Sequence, residues 1–359
     1  MTMNRVQPRI LIVGGGPTGL TAAVELARRG IVADVIEKQE SASHLSRAVG
    51  ILPSSMRILA PSGVADAIRQ QAVPYQAAVF HNENTIFARL ALNESQDVSE
   101  RLFGLAQDRT ETHLRTAFEG MGGSVEYAIE LSGLTQDDTA VRVEMGDESA
   151  VYDYVIGADG AHSTVRQAVG LNFPGHTLSQ PWSIADVDCL DWPTPNEFHA
   201  YLRSRGRVAI VAPLEATRFR IVSNTPNALE TLPAPMNITR VRREASFHIS
   251  IRQVDRYQAG RVFLAGDAAH CHSPVGGRGM NLGIADAADL ARRFSDGDLD
   301  GYDKARRTAG HETITISERG RRIITSPNPL TRHLAITALR TIAAIPPLRK
   351  RATRTLLTL

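Results

Sequence analysis

The stretch Ile10-Leu-Ile-Val-Gly-Gly-Gly-Pro-Thr-Gly19 decides the fold of this chain. The apolar run Ile10 to Val13 predicts a buried strand, and Gly14, Gly16 and Gly19 follow it with the spacing GxGxxG. A helix that runs to Arg29 is indicated by apolar residues at the spacing i, i+3, i+4 and i+7, namely Leu20, Ala23, Val24 and Ala27. The stretch therefore predicts the first half of a βαβ unit.

The three glycines have separate physical reasons in a dinucleotide-binding turn. Gly14 makes the tight turn, Gly16 lets the backbone approach a pyrophosphate, and Gly19 packs the helix on the strand. A second apolar strand, Val32 to Ile36, ends in Glu37, whose carboxylate can accept the hydroxyl protons of a ribose. A glycine turn without a ligand is the alternative, but it would not require an acid at position 37. We therefore predict a dinucleotide site.

Length and composition bound the remaining possibilities. The chain has 359 residues, of which 43% are hydrophobic and 22% charged, so two ordinary globular domains are expected. The formal net charge of +2 indicates neither a nucleic acid nor a membrane partner. Cys189 and Cys271 cannot form a disulfide framework or a CxxC pair, and no Cys/His cluster indicates a metal site. We expect a cytoplasmic protein without a transmembrane helix, and the oligomeric state stays open.

Shifts in sequence pattern suggest the domain boundaries. An α/β pattern holds for residues 1–174 and returns at 261–330, whereas 175–260 consists of short apolar runs separated by turns, typical of antiparallel strands. In the α/β part, Asp108 and Glu111 have the spacing of a capping box, which predicts a helix that ends near Gly120 to Gly123. The segment 331–359 is predicted to be helical. We thus expect a discontinuous dinucleotide domain with an inserted, sheet-rich substrate domain.

Two further motifs place acids at the ends of strands. Tyr154-Val-Ile-Gly-Ala-Asp159-Gly160 is a strand that leads into an Asp-Gly turn. Gly260-Arg-Val-Phe-Leu-Ala-Gly266-Asp267 repeats the arrangement, and the loop from Pro274 through Gly276-Gly-Arg-Gly279-Met-Asn281 then opens a helix. With these motifs the sequence resembles the class A flavin-dependent monooxygenases, the para-hydroxybenzoate hydroxylase or aromatic-ring hydroxylase family.

The resemblance covers roughly residues 8–330 and implies both a fold and a function. The fold would be α/β, with a Rossmann-like FAD-binding domain of the GR2 type, an inserted antiparallel-sheet substrate domain and C-terminal helices. The function would be hydroxylation of an aromatic, phenolic small molecule through a C4a-hydroperoxide of the flavin. NADPH or NADH would supply the electrons and dioxygen the oxygen atom. We find no second GxGxxG, so the nicotinamide would dock on the FAD domain or in the cleft.

The resemblance also assigns roles to individual residues. Glu37 would bind the adenosine ribose, Arg47 the pyrophosphate region, Gln107 the ribityl side and Asp267 a ribityl hydroxyl. The flavin ring would lie against Pro274, Gly279, Met280 and Asn281, and no catalytic side chain is assigned. The positions expected to bind FAD are Gly14, Gly16, Pro17, Thr18, Gly19, Glu37, Lys38, Arg47, Gln107, Asp159, Gly160, Gly266, Asp267, Pro274, Gly277, Gly279, Met280 and Asn281.

Several side chains leave alternatives open. Cys271 and His272 lie near the expected ring, but we expect non-covalent FAD and a small buried cysteine. His199 and His248 lie on predicted strands, where a satisfied or solvent-facing histidine is commoner than a substrate ligand. Arginines in the substrate domain would attract an anionic substrate or form a solvated face; they are Arg203, Arg205, Arg207, Arg218 and Arg220.

The end of the chain has a charge bias of its own. The segment from Leu330 to Leu359 contains six basic side chains and no acid. It would touch an anionic surface or, as we expect, pack on the FAD domain with its basic side in water.

Three other functions compete with hydroxylation. A flavin-dependent halogenase would carry a WxWxIP stretch, and neither Trp182 nor Trp192 stands in one. A reductase or dehydrogenase of the same superfamily would use the flavin without oxygen insertion. A non-catalytic flavin-binding protein is the alternative from a different class.

Overall fold

A computed structural model of the chain describes residues 7–42, 48–93, 97, 100–232 and 236–358. The strands, in chain order, are β1 (Ile10–Val13), β2 (Asp34–Glu37), β3 (Gly50–Ile51), β4 (Val73–Pro74), β5 (Ala77–Asn82), β6 (Thr85–Ala91), β7 (Phe103–Gly104), β8 (Val125–Tyr127), β9 (Leu131–Gln136), β10 (Val141–Met145), β11 (Glu148–Tyr152), β12 (Tyr154–Gly157), β13 (Gly175–Cys189), β14 (Glu197–Leu202), β15 (Val208–Pro213), β16 (Arg218–Ser223), β17 (Ile238–Gln253), β18 (Gln258–Ala259), β19 (Val262–Leu264) and β20 (His270–Cys271).

The helices are α1 (Pro17–Ala27), α2 (Pro53–Leu59), α3 (Val64–Gln71), α4 (Gln107–Gly120), α5 (Thr164–Ala168), α6 (Gly279–Asp296), α7 (Tyr302–Ile324), α8 (Pro329–Ala344) and α9 (Pro346–Leu357). Helices and strands alternate in the first part of the chain, and the last three helices are consecutive. The result is an α/β fold with mixed sheets and C-terminal helices.

A six-stranded sheet carries the predicted βαβ unit. Its strand order is β18-β19-β12-β1-β2-β8, and β1 pairs in parallel with both β12 and β2. All four residues of β1 are buried, because helices and loops cover both faces of a parallel sheet. On α1, Leu20, Ala23 and Val24 are buried against this sheet, which confirms the predicted apolar face.

A second sheet of eight strands has the order β20-β17-β13-β16-β15-β14-β5-β6. Its neighbouring strands are antiparallel except β14 and β5, which pair in parallel. The sequence placed residues 77–91 in the dinucleotide part, but β5 and β6 belong to this second sheet. The hairpin covers the edge of β14, and an uncovered edge would present unpaired backbone groups.

The capping box predicted at α4 is wrong in its register. Ala106 is the N-cap and makes no side-chain cap bond, so Asp108 lies inside the first turn of the helix. Glu111 does not reach back to the N-cap either, because it is buried and accepts a hydrogen bond from Gln107 Nε2 at 2.8 Å. The helix nevertheless ends at Gly120, where the sequence predicted its end.

The C-terminal helices pack against the eight-stranded sheet, and α9 also contacts the loop before α6, where Arg278 Nη2 donates to the backbone oxygen of Thr355 at 2.7 Å. Ile336 of α8 is buried against Leu202 and Val208 of that sheet. Arg332 donates hydrogen bonds to the backbone oxygen of Leu202 at 2.8 Å and to Glu83 at 2.9 Å. In the part of the chain that the structure describes, no helix is both long enough and apolar enough to cross a membrane.

Candidate functional site

Loops from neighbouring parallel strands meet at one edge of the six-stranded sheet. β1, β12 and β19 end at Val13, Gly157 and Leu264. β1 lies between β2, the next strand of this sheet along the chain, and β12, which follows much later. This arrangement is a topological switch point, where open α/β sheets bind ligands beyond the carboxyl ends of their strands. The sequence-predicted residues that follow these strands are therefore brought to a common edge.

The three glycines after β1 are held by different surroundings. Gly14 has φ +112°, and a Cβ there would lie 2.4 Å from the backbone oxygen of Ala158. A Cβ on Gly19 would lie 1.9 Å from the backbone oxygen of Gly14. Gly16 differs, since it has φ −79° and no protein atom within 4 Å of an added Cβ. The described protein atoms give no steric reason for glycine at 16, whereas a bound group lying over the backbone would give one.

The N-terminus of α1 points at the same open space. Gly16 is its N-cap without a side-chain cap bond, and Pro17 occupies the first turn, where its missing N–H costs nothing. The free N–H groups of this turn favour a bound anion. Thr18 packs its hydroxyl against the loop after β19, since a Cβ on Gly266 would lie 2.4 Å from Thr18 Oγ1. Thr18 thus joins two of the loops.

Glu37 at the end of β2 holds the glycine turn. Its Oε2 accepts a hydrogen bond from the Gly15 N–H at 2.7 Å, and its Oε1 accepts one from Gln39 N–H at 3.0 Å. A carboxylate has about four lone-pair positions, so this half-buried group can accept further hydrogen bonds. Lys38 beside it is exposed. Arg47, predicted near the pyrophosphate, lies outside the described residues.

Gln107 and Glu111 form a polar pair at the start of α4. Gln107 Oε1 accepts the Ala48 N–H at 3.0 Å, while its Nε2 donates to Glu111. Burial, helped by the neighbouring Asp108 and Glu37, raises the pKa of Glu111 to about 7 against the lowering effect of the Gln107 hydrogen bond. The segment at residue 48 is thereby attached to the helix that begins at Gln107.

The Asp-Gly turn after β12 connects two loops of the site. Asp159 Oδ2 accepts the Val165 N–H at 3.1 Å, whereas its buried Oδ1 has no partner among the described residues. Burial raises the pKa of this carboxyl, although hydrogen bonds from Ser163 and the turn lower it in part. Arg166 donates to the backbone oxygen of Ala268 at 2.9 Å. Gly160 follows with φ +82°, a conformation that favours glycine.

A buried ionic cluster supports the turn that carries Asp267. Asp286 of α6 accepts the Gly266 N–H at 3.0 Å, His270 Nε2 at 2.6 Å and Arg306 Nε at 2.6 Å. Burial opposes its ionisation, but Arg306, His270 and the backbone N–H prevail and hold the pKa of Asp286 below its usual value. Asp267 itself is exposed, and its carboxylate has no partner in the described ranges. This carboxylate is free to bind a ligand.

The loop before α6 combines exposed and locked residues. Pro274 and Gly277 are exposed, Gly279 is the first residue of α6, and Met280 is buried. Asn281 is fully buried, and its side-chain amide uses all of its hydrogen bonds within the protein. Its partners are Leu52 N–H (2.8 Å), Ser55 Oγ (2.7 Å), Gly50 O (2.9 Å) and Gly277 O (2.9 Å). Only the backbone of Asn281 is therefore left for a ligand at this helix end.

The solvated-face interpretation of the substrate-domain arginines is wrong for two of them. Arg220 is fully buried and forms a two-point ion pair with Asp186, at 2.7 and 2.8 Å, and Arg218 contacts the same carboxylate at 3.1 Å. Arg220 also donates to the backbone oxygen of Ala48 at 3.2 Å. The sequence carried one signal for this burial, the alternation of Arg218 and Arg220 with Phe219 along a strand. Polar residues at every second position share one face of a sheet, and that face can contact another domain as well as water.

The two histidines predicted on strands of the second domain, His199 and His248, have different surroundings. His199 is buried, accepts or donates a hydrogen bond with His81 at 3.0 Å and contacts Thr194 at 2.7 Å. Burial, together with nearby His81, lowers the pKa of His199 to about 4. His248 is exposed. His199 is thus a satisfied buried histidine, the commoner of the two interpretations.

The residues at this edge leave room and hydrogen-bonding groups for a bound dinucleotide. The open space over Gly16 and the unpaired Asp267 carboxylate are two features that the protein itself does not explain. A family model described as "FAD binding domain" matches residues 7–307. The chain belongs to the FAD-binding domain family.

Two curated relatives of this chain are named as monooxygenases. It is 30% identical to 6-methylpretetramide 4-monooxygenase of Streptomyces rimosus over 80% of this chain, and 31% identical to pentachlorophenol 4-monooxygenase of Sphingobium chlorophenolicum over 80%. The chain spans 56% and 58% of the length of these two relatives. The crystal structure of p-nitrophenol 4-monooxygenase from Pseudomonas putida DLL-E4 has the same fold, with a TM-score of 0.87, 24% identity and 98% of each chain covered.

Proposed function

We propose that this chain is an FAD-dependent monooxygenase that hydroxylates an aromatic, phenolic small molecule, with NADPH or NADH as the electron donor. The observation that carries the proposal is the open backbone at Gly16 and the unpaired Asp267 carboxylate at one sheet edge. The named monooxygenases among its relatives support the reaction type. FAD is the cofactor of the family to which the chain belongs.

The chain would hold FAD along the edge of the six-stranded sheet. The pyrophosphate would lie over Gly16 at the N-terminus of α1, and the adenosine ribose would bind Glu37. Asp267 would accept a hydrogen bond from a ribityl hydroxyl, and Gln107 would lie on the same side of the cofactor. Asp159 Oδ1, which has no described partner, is a further acceptor for FAD or for the nicotinamide.

The domain division follows from this placement. A GR2-type FAD domain would comprise residues 1–174, apart from the β5–β6 hairpin, and residues 261–330, with the substrate domain at 175–260 and the C-terminal helical segment at 331–359. The hairpin of β5 and β6 would belong to the substrate domain, because it pairs with β14. The substrate would then lie between the eight-stranded sheet and the loop that precedes α6.

The reaction assigns separate tasks to the cofactor and to the chain. When bound, FAD supplies a ring that accepts hydride from the nicotinamide and activates dioxygen. The N-terminus of α6 would stabilise negative charge on the pyrimidine side through the N–H groups of Gly279, Met280 and Asn281.

The eight-stranded sheet would provide a dry wall for the substrate. Trp182, Ile184 and Val222 form an apolar cluster against which Val275 of the loop packs. An apolar wall beside the flavin loop excludes water, and water exclusion protects a reactive oxygen species from wasteful release. We assign no general base for the substrate hydroxyl.

The test is the fate of oxygen from labelled dioxygen. The purified holoprotein is incubated with NADPH or NADH under ¹⁸O₂ and a panel of phenols, and products are analysed by mass spectrometry. A phenol that accelerates nicotinamide oxidation and gains one labelled atom supports the proposal. Label found only in peroxide or water, with the substrate dehydrogenated or reduced, would leave a flavin reductase or dehydrogenase instead. No stimulation by any phenol would favour a non-catalytic flavin-binding protein.

A further inference from the structure

The charge of this protein is unevenly divided along the chain. Residues 319–359 contain nine Lys or Arg side chains and no Asp or Glu. The preceding 318 residues contain 31 basic and 38 acidic side chains, a formal charge of −7 against +9 for the end segment. A net charge of +2 for the whole chain therefore hides a strongly polarised molecule, and such asymmetry is typical of proteins that meet an anionic surface.

Most of these cations have no partner within the protein. Arg321 and Arg332 pair with Glu318 and Glu83. Six others have exposed side chains that make no ion pair or hydrogen bond within the described ranges; they are Arg319, Arg322, Arg340, Lys350, Arg351 and Arg354. A cluster of cations without internal partners does little for the stability of the fold, so it is available for an anionic partner.

The same part of the molecule exposes large apolar side chains. Leu330 and Leu334 on α8 are 65% and 60% exposed, and Ile345 and Leu348 after it are 42% and 40% exposed. Leu330 and Leu334 are four residues apart and lie on one face of α8, whereas Ile336 lies on the opposite, buried face. The helix thus exposes two leucines on the face turned away from Ile336, whereas the exposed Arg340, four residues after Ile336, lies on the Ile336 side.

We propose that this basic and apolar surface, formed by α8, α9 and the end of α7, binds peripherally to an anionic lipid bilayer. The exposed Leu and Ile side chains would enter the boundary between headgroups and acyl chains, and the six unpartnered cations would contact lipid phosphates. The negative remainder of the molecule would be repelled from the same surface, which fixes one orientation. Because no described helix can span a bilayer, the contact would be interfacial.

Lipid is favoured over an acidic protein by the arrangement of the two kinds of side chain. A specific protein–protein interface needs pockets or a groove that receive the partner's anchoring side chains. Here Leu330 and Leu334 project from a helix face, and the exposed cations lie on the same three C-terminal helices at the ends of long side chains. This pattern suits a deformable, uniformly anionic surface rather than a shaped one.

The experiment is vesicle co-sedimentation of the FAD-loaded protein. Vesicles of phosphatidylcholine alone are compared with vesicles that contain about 30% phosphatidylglycerol, at 0.1 M and 1 M salt. We expect binding to the anionic vesicles that weakens strongly at 1 M salt, where the Debye length falls to about 3 Å. A double variant, Arg351→Gln with Arg354→Gln, should bind roughly 25-fold more weakly, since each cation near the surface contributes about fivefold.

Matched controls separate the surface from general effects. The double variant Leu330→Ser with Leu334→Ser should lose at least about tenfold in binding. Leu190→Ser, at a side chain 75% exposed elsewhere, and Arg142→Gln on β10 should bind like the wild type. Circular dichroism and FAD content of each variant verify the fold.

Three outcomes overturn the proposal. They are equal binding to neutral and anionic vesicles, binding unaffected by both double variants, and no vesicle binding at low salt. In the last case, analytical ultracentrifugation shows whether the face instead joins two copies of this chain. The wild type would then sediment as a dimer and the Leu330→Ser, Leu334→Ser variant as a monomer. Binding to polyglutamate without binding to vesicles would identify an acidic protein as the partner instead.

Discussion

Replacing Gly16 by Ala separates cofactor binding from folding. Gly16 has φ −79° and ψ −176°, which an alanine adopts without strain, and among the described residues beyond its chain neighbours no atom lies within 4 Å of the added Cβ. Alanine is a poorer N-cap than glycine, which lowers the free energy of unfolding by roughly 0.5–1 kcal/mol. Alanine also reduces the entropy of the unfolded chain, which raises the free energy of unfolding by roughly 0.4–1 kcal/mol. The two effects offset, so the free energy of unfolding of the apoprotein should change by less than about 1 kcal/mol.

The effect on FAD should be much larger than the effect on stability. A methyl group over Gly16 would push the pyrophosphate from the N–H groups at the start of α1. Losing two charge-assisted hydrogen bonds, each worth about 1.5 kcal/mol, corresponds to a dissociation constant raised roughly 100-fold. The branched Gly16→Val should abolish stoichiometric FAD.

Two other glycines serve as controls for this experiment. Gly19→Ala places a Cβ 1.9 Å from the Gly14 backbone oxygen, so it should destabilise even the apoprotein, by about 3 kcal/mol. Gly120→Ala, at the end of α4 with open space around it, should leave FAD binding unchanged. Urea unfolding of apoprotein gives the stability, and titration with FAD followed by fluorescence gives the dissociation constant. Wild-type FAD affinity in Gly16→Ala would refute this placement of the pyrophosphate.

Three further predictions concern acids and their partners. Asp267→Ala should weaken FAD about 10- to 100-fold in the same titration, because a carboxylate bond to a ribityl hydroxyl contributes roughly 1.5–3 kcal/mol; an unchanged constant would remove Asp267 from the site. The pKa of Glu111 rises from 4.5 to about 7 in the fold, so its ionisation opposes folding as pH rises across that range. Glu111→Gln should therefore gain stability over wild type from pH 4.5 to 7, reaching about 3 kcal/mol above pH 8 in urea unfolding, and an equal difference at pH 4 and pH 8 would contradict this. Arg220→Met leaves the Asp186 carboxylate buried without its two-point partner and should cost about 3–5 kcal/mol, whereas Arg142→Met on the surface should cost less than about 0.5 kcal/mol in the same unfolding assay.

The sequence was sufficient for the local parts of the fold. An apolar run, glycines at fixed spacing and a periodic helix are all encoded within the 20 residues after Ile10, and β1 and α1 form there. The position of Glu37 beside the glycine turn was also predictable, because β1 and β2 are parallel and such strands end at a common edge of the sheet. The role of each glycine was not equally visible, since only the surroundings show that Gly16 alone lacks a reason within the protein.

Long-range pairing was not predictable from the same patterns. The sequence pattern of the β5–β6 hairpin would be the same in either sheet. Only the parallel pairing of β5 with β14 shows which sheet the hairpin joins. The Asn281 side chain looked available for a ligand, but its partners Leu52 and Ser55 lie more than 220 positions away in the sequence. Hydrogen bonds between such distant residues leave no periodic signal.

The contacts of Ala48 explain why these distant pairings matter for the site. Its backbone N–H is held by Gln107 of α4, and its backbone oxygen is held by Arg220 of the eight-stranded sheet. Arg220 is in turn fixed by the buried Asp186, at 2.7 Å. One backbone segment beside the proposed cofactor site is therefore positioned by α4 and by the eight-stranded sheet at once. We therefore expect a change in the packing of the eight-stranded sheet to shift this segment through Arg220, even where no residue of that sheet touches the cofactor.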